Sequence, residues 1–136
     1  MIDYVITTDK SKLDVNAVHD FLANRSYWAK GRSYETVHRS IENSLCFGMY
    51  DKSGKLIGFA RVVTDQSVFA YIMDLFILES FRGMGLSLKL MEHIMQHPDL
   101  QGIHRIMLAT KDAHSLYQKF GFQLTRSADK LMEIVL

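Results

Sequence analysis

Cysteine, proline and tryptophan each occur once in the 136 residues. A single cysteine, Cys46, excludes an internal disulfide and a cysteine-based zinc site. Neither sign of charge is in excess, because 16 Lys and Arg face 15 Asp and Glu. A broad basic field of the kind that holds nucleic acid is therefore not expected. Apolar runs are short and interrupted by charge, so no transmembrane helix is expected. The opening residues MIDYVITTDK have neither a basic n-region nor an apolar h-region, and no secretory leader is expected. These absences make a soluble, reducing, cytoplasmic setting the default expectation, with neither nucleic acid nor membrane as a partner.

The composition that remains is that of one globular domain spanning residues 1–136, with 48% hydrophobic and 23% charged residues. A chain of this size buries roughly two-thirds of its unfolded surface, enough for a sizeable core.

Met1 to Thr8 alternates and is rich in Ile, Val and Tyr, which predicts a strand. Val15, Val18, Phe21 and Leu22 fall on one helical face. The stretch Asn24–Ser33 breaks the period and reads as a loop. A second helix follows with Ser33 as N-cap and Tyr34, Val37 and Ile41 on one side. Three strands come next: Leu45–Tyr50, Leu56–Thr64 after the turn DKSGK, and Val68–Leu78. A helix begins at Leu86 and is ended by Pro98. Ile103–Ala109 reads as a strand and Ala113–Phe120 as a short helix stopped by Gly121. Phe122–Thr125 and Leu131–Val135 read as closing strands. The implied fold is α/β (α+β): a mixed, mostly antiparallel twisted sheet of six to seven strands flanked by about four helices. The crossover from Phe69 to Ala109 makes its two strands parallel.

Two strings carry chemistry. Arg82-Gly83-Met84-Gly85-Leu86-Ser87 joins a buried strand to a helix. A helix N-terminus presents free backbone N–H groups and the positive end of the macrodipole. Glycines before it let a phosphate come close to the backbone. Read locally, the string is either a phosphate cradle or a tight turn with a surface arginine. It lacks the Gly-Lys-Ser/Thr ending of a Walker A loop and the third glycine of a dinucleotide fingerprint. The second string, Ala113-His114-Ser115-Leu116-Tyr117-Gln118-Lys119-Phe120-Gly121-Phe122, places Tyr117 on a short helix capped by Gly121. Alone, it describes a packed aromatic as readily as a catalytic one.

Taken in order with a strand between them, the two strings resemble the GNAT superfamily of acetyl-CoA-dependent N-acetyltransferases. YWAKGRS, NSLCFGMY, IGFARVVTD and KDAHSLYQKFGF are similar to stretches of small bacterial members. The resemblance implies that the backbone of Gly83, Met84, Gly85, Leu86 and Ser87 holds the pyrophosphate of coenzyme A, with Arg82 beside it. It implies that Leu75, Phe76 and Ile77 pair with the pantetheine arm, and that the strands before and after the phosphate helix splay apart to admit it. Tyr117 is then the acid that protonates the leaving thiolate. Three positions depart from the family pattern: Ser87 replaces a Gly or Ala, Glu79 replaces a Pro, and Thr110 replaces an Asn that contacts pantetheine. The implied cosubstrates are acetyl-CoA and a primary amine, with no metal. Homodimers are common in that superfamily, and a non-catalytic acyl-CoA-binding module on the same fold is the alternative.

An amine must lose a proton before it attacks, and a carboxylate can take it directly or through water. Asp74, mid-strand beside the expected acyl site, reads either as that base or as a buried carboxylate holding the neighbouring loop. Glu79 reads as a second candidate or as a solvated loop residue. The oxyanion calls for a strand N–H near Leu75 or Phe76. Tyr27, Trp28 and Arg32 combine aromatic and cationic character in the loop before the second helix. They read as an acceptor-recognition surface suited to a carboxylate or phosphate, or as a plug of that loop onto the sheet. His93 and His97 share a helical face without a completing carboxylate, so no metal site is expected. His114 flanks Tyr117 and reads as a group that tunes it or as a bystander. Cys46, in an apolar strand, reads as an inert buried thiol in preference to a nucleophile.

Overall fold

The computed structural model describes residues 2–136 and orders them as β1 (Tyr4–Thr7), α1 (Val15–Arg25), α2 (Tyr34–Glu42), β2 (Leu45–Asp51), β3 (Leu56–Thr64), β4 (Phe69–Ile77), α3 (Leu86–Gln96), β5 (Arg105–Leu108) and α4 (His114–Gln118). The strands form a five-stranded sheet in sequence order. β1 through β4 are antiparallel neighbours, and β4 and β5 are parallel, as the intervening α3 crossover requires.

Helix starts follow their caps. The Asp14 carboxylate accepts from the Ala17 N–H at the head of α1, and the Ser33 hydroxyl from the Thr36 N–H at the head of α2. Both helices bury a stripe at helical spacing: Val18, Phe21 and Leu22 on α1, Val37 and Ile41 on α2. α3 ends where Pro98 forces His97 into extended backbone at ψ 134°.

The sheet separates two cores. Phe47, Met49, Ile57 and Val62 pack with Leu90, Met91 and Ile94 of α3. Cys46, Tyr50 and Phe59 pack with Val18, Phe21, Val37 and Ile41 of α1 and α2. Alternation along β2 sends Phe47 and Met49 one way and Cys46 and Tyr50 the other.

β4 changes face partway along. Ala70 and Ile72 belong to the α3 core, whereas Phe76, of the same parity, belongs to the α1 and α2 core. The cause is a β-bulge: Phe59 pairs with Phe76 and Arg61 with Met73, so Asp74 and Leu75 together oppose Ala60. Asp74 takes a left-handed backbone, φ 55°. Asp is among the few residues with side chains that adopt it at modest cost. Pairing of β4 with β5 ends at Ile72 and Leu108, so the rest of β4 leaves its neighbour.

Two sequence expectations are corrected. Phe122–Thr125 and Leu131–Val135 are not strands, and the sheet has five strands in place of six to seven. Both segments have strand-forming side chains, but a strand exists only where an edge pairs with it. The remaining elements stand within a few residues of expectation. Met1, assigned to the first strand, lies outside the described residues.

Candidate active site

The divergence of β4 from β5 opens a cleft of about 670 Å³ lined from four directions. β4 supplies Asp74, Leu75, Phe76 and Ile77, and the strand-to-helix turn supplies Arg82, Gly83, Gly85, Leu86 and Ser87. The segment after β5 supplies Thr110 and Tyr117, and the loop after α1 supplies Tyr27, Trp28 and Arg32. Met84 alone among the expected cofactor residues is not part of the lining; its side chain is exposed.

The turn leaves the head of α3 open toward the cleft. Gly83 and Gly85 have φ of 79° and 74°, a conformation glycine adopts without strain. Gly85 is the N-cap of α3 and offers no capping side chain. A Cβ placed on either glycine would meet nothing within 4 Å, so the space over the helix N-terminus is open. The first N–H groups of α3 therefore face the cleft with the positive end of the helix dipole behind them. Arg82 folds back, its Nε donating to the Ile77 carbonyl at 3.1 Å, which fixes the turn against β4.

Past the bulge, β4 presents an unpaired backbone edge on the side where β5 has left it. An elongated amide-bearing chain could add there as a strand adds to a sheet. Thr110, across the gap, uses its hydroxyl to accept from the Ala113 N–H at 3.0 Å and so organises the entry to α4.

Tyr117 is buried to 9% exposure, and its ring packs edge-on against Phe122. Burial pushes its hydroxyl pKa above the ordinary value of 10.0, and the neighbouring Tyr27 and Asp112 add to the rise. The phenol consequently keeps its proton across the neutral range.

Asp74 is the centre of a buried polar knot. Its Oδ1 accepts from Trp28 Nε1 at 2.9 Å. Its Oδ2 accepts from Arg32 NH1 at 2.9 Å and from Arg61 Nε at 3.0 Å. The Asp74 side chain has no exposure, Arg61 has 9% and Arg32 has 22%. Arg61 also reaches the Ser44 hydroxyl at 3.1 Å. Arg61 is the participant that sequence reading missed; the available signal was a lone charge inside the apolar run LIGFARVV. Two guanidiniums against one carboxylate leave one positive charge in excess, and Arg32 carries it toward the cleft.

The aromatic loop stands at the cleft mouth. Tyr27 is 60% exposed, lies edge-on to Trp28 and is covered by Lys111 Nζ at 5.2 Å from its centroid. Glu79 does not line the cleft; it pairs with Arg25 at 3.3 Å. His114 lies on the far side of α4, in a second groove. His97 accepts from the Asp99 N–H as a turn cap. Among the described residues, no group of three or more His, Cys, Asp or Glu is placed to hold a metal ion. Burial pushes the Cys46 thiol up to about 11, which keeps it protonated and inert.

A model of the acetyltransferase (GNAT) family matches residues 15–122, most of the chain and every element that lines the cleft. The chain belongs to the GNAT acetyltransferase family. It is 43% identical to a GNAT-family protein of Xanthomonas campestris whose crystal structure superposes with a TM-score of 0.96, covering 100% of this chain and 95% of that one. It is 27% identical to a protein of Gibberella zeae named as an acetyltransferase, covering 86% of this chain and 77% of that protein. A Clostridium acetobutylicum acetyltransferase solved with acetyl-CoA shares the fold, with a TM-score of 0.71 at 18% identity and coverage of 99% of this chain and 96% of that one. The GNAT fold therefore accounts for the whole described chain, and the family's acyl-transfer chemistry sets the frame for its cleft.

Proposed function

We propose that this GNAT protein transfers the acetyl group of acetyl-CoA to a primary amine of a small molecule, by direct attack within a ternary complex, the amine's proton passing to water. The observation that carries the reading is the convergence of three features on one cleft: an open glycine-lined helix N-terminus, the β4 edge freed by the Asp74 bulge, and the Tyr117 hydroxyl. The residues fit the cosubstrate. The N–H groups at the head of α3 suit a pyrophosphate, and the backbone of Leu75, Phe76 and Ile77 suits the amides of a pantetheine arm. Acetyl-CoA supplies an activated acyl group and a thiolate leaving group.

The roles of the chain's own residues follow from their environments. A bulge N–H at Leu75 or Phe76 donates to the developing oxyanion, a reading supported by the end of β4–β5 pairing at Ile72. Tyr117 donates its proton to the departing sulfur, and its raised pKa keeps the phenol protonated until that step. Asp74 holds the site in shape. Both of its oxygens are taken by Trp28, Arg32 and Arg61, and no exposed surface admits an ammonium proton to it. Of the two sequence readings of Asp74, geometry supports the loop-holding one, and Asp74 is a positioning residue. Tyr27 and Trp28 face the acceptor side, and the excess charge on Arg32 suits an acceptor that also carries a carboxylate or phosphate.

The test is mass spectrometry of the purified chain with acetyl-CoA and a panel of amino acids, polyamines, amino sugars and peptides. A gain of one acetyl group on an amine, with stoichiometric release of coenzyme A, is expected. Tight binding of acetyl-CoA with no transfer to any amine would favour a non-catalytic acyl-CoA module instead.

A further inference from the structure

The sheet face toward α1 and α2 is covered along only part of its length. Cys46 and Phe59 pack beneath those helices. Arg61, in register with Met73 and bonded to Asp74 and Ser44, marks the limit of that cover. Beyond it the face stays apolar. Val62 and Ile72 turn into the α3 core, so alternation sends Val63, Tyr71 and Met73 to the opposite side. Phe69 has the same parity, and Met107 of β5 stands in register with Tyr71. Val63 is 40% exposed and Phe69 37%, while Tyr71, Met73 and Met107 are half-buried.

This strip is continuous with the cleft. Tyr71 and Met73 line the cleft together with Trp28 and Arg32. Arg61 NH2 donates to Met73 Sδ at 3.4 Å and so holds the thioether at the junction. The available charge stands at the same junction. Arg32 gives NH1 to Asp74, and among the described residues its Nε and NH2 have no hydrogen-bond partner. The other cleft arginines are committed: Arg25 pairs with Glu79 at 3.3 Å, and Arg82 donates its Nε to the Ile77 carbonyl. One guanidinium edge matches one carboxylate, whereas a phosphate dianion calls for a second cation. Asp74, which holds Arg32, directly precedes Leu75, so the anion and the reacting amine are close neighbours, as on one α-carbon. A side chain on that carbon then lies toward Tyr71 and Met73, where its burial removes apolar surface from water.

We propose that the uncovered strip is a side-chain subsite, and that the acceptor is an α-amino acid with a large apolar side chain, its carboxylate on Arg32. The assignment rests on the reading that this cleft acetylates a small amine. The α-amine forms the new N–C bond as the thioester C–S bond breaks; its proton passes to water, the sulfur takes the Tyr117 proton, and the product is an N-acetyl amino acid. Met73 and Tyr71 are then specificity residues that touch the acceptor and not the cofactor.

Three acceptors separate the two contacts: phenylalanine, alanine, which lacks the ring, and phenethylamine, which lacks the carboxylate. Phenylalanine should exceed both in kcat/KM by at least the roughly tenfold that one methylene commands in an apolar pocket. Met73→Gln keeps an acceptor for Arg61 and should erase most of the preference over alanine, with KM for acetyl-CoA unchanged. A merely structural role would lower the rates on phenylalanine and alanine alike, and that result overturns the proposal. So does equal kcat/KM for phenylalanine and either analogue. Saturation-transfer NMR of phenylalanine with coenzyme A-saturated protein reads the subsite without turnover. Ring-proton saturation that weakens in Met73→Gln is expected. If it is seen while no amine is acetylated, the subsite stands and the transfer reading fails; if other amines are acetylated and no saturation is seen, the subsite fails and the transfer reading stands. Sedimentation of Val63→Lys covers the remaining occupant: a loss of self-association with unchanged phenylalanine kinetics assigns the face to a second copy and overturns the proposal.

Discussion

Replacing Asp74 by Asn removes one charge from the buried knot and turns one of its two acceptor oxygens into an NH2 group that faces donors. Asn matches the shape of Asp and tolerates the φ of 55° found at this position, so the bulge itself is not strained by the change. What is lost is the anion that two guanidiniums share, one of them 9% exposed. Removing one partner of a buried ion pair costs roughly 3–5 kcal/mol, because the other charge is left uncompensated. For a chain of this length each kcal/mol moves the melting temperature by about 3–5 °C, so Asp74→Asn should melt roughly 10–25 °C below wild type. Arg32→Ala, which removes a partner that is 22% exposed and better screened, should lower it by less. Circular dichroism melts of the three proteins at one pH and salt concentration make the comparison. If Asp74→Asn melts with wild type while kcat falls by roughly 10² or more, Asp74 is a base and not an anchor, and the reasoning fails.

Gly85→Asp puts a side chain at φ 74° and a like charge over the head of α3, so acetyl-CoA should no longer raise the melting temperature; calorimetry showing wild-type affinity would refute the cradle. Cys46, with its thiol pushed up to about 11, should resist a thiol reagent at pH 8 in the native protein and react once per chain in denaturant. Tyr117 carries a folded-state pKa above that of the unfolded chain, so its contribution to stability is complete below about pH 10 and is lost as pH rises through the folded value. Tyr117→Phe should accordingly flatten the alkaline fall of the melting temperature, and an unchanged fall would place the titration elsewhere.

Elements whose causes are local were legible in the sequence. The Ser33 cap, the apolar stripes of α1 and α2, the stop at Pro98 and the glycine turn before Leu86 each depend on residues within a turn of one another. The residues lining the cleft were legible to the same extent, because the glycine turn and Tyr117 sit on contiguous strings. The bulge was not, because its determinants are distant in sequence. Asp74 is held by Arg61, 13 positions away, and by Trp28, 46 positions away. Nothing local to Met73–Phe76 announces that the strand changes face there. The residues that open the cleft were therefore seen singly, and their joint action was not. The closing strands failed for a related reason. FQLT and LMEIV have strand-forming side chains, but pairing depends on an available edge, which composition does not report. Arg32 shows a middle case, expected to meet an acceptor anion and found sharing its charge with Asp74.

The central claim is that the cleft transfers acetyl from acetyl-CoA with Tyr117 as the proton donor, and a single-turnover rate tests it most directly. Acetyl-CoA is pre-bound to wild type and to Tyr117→Phe, and an excess of the amine found active is added. The hydroxyl is the only group removed, and single turnover excludes product release from the measured step. The account predicts a rate lower by roughly 10²–10⁴ in Tyr117→Phe, with the dissociation constant for acetyl-CoA unchanged. Equal rates for the two proteins would contradict it and leave Tyr117 as a packed aromatic in the wall of the cleft.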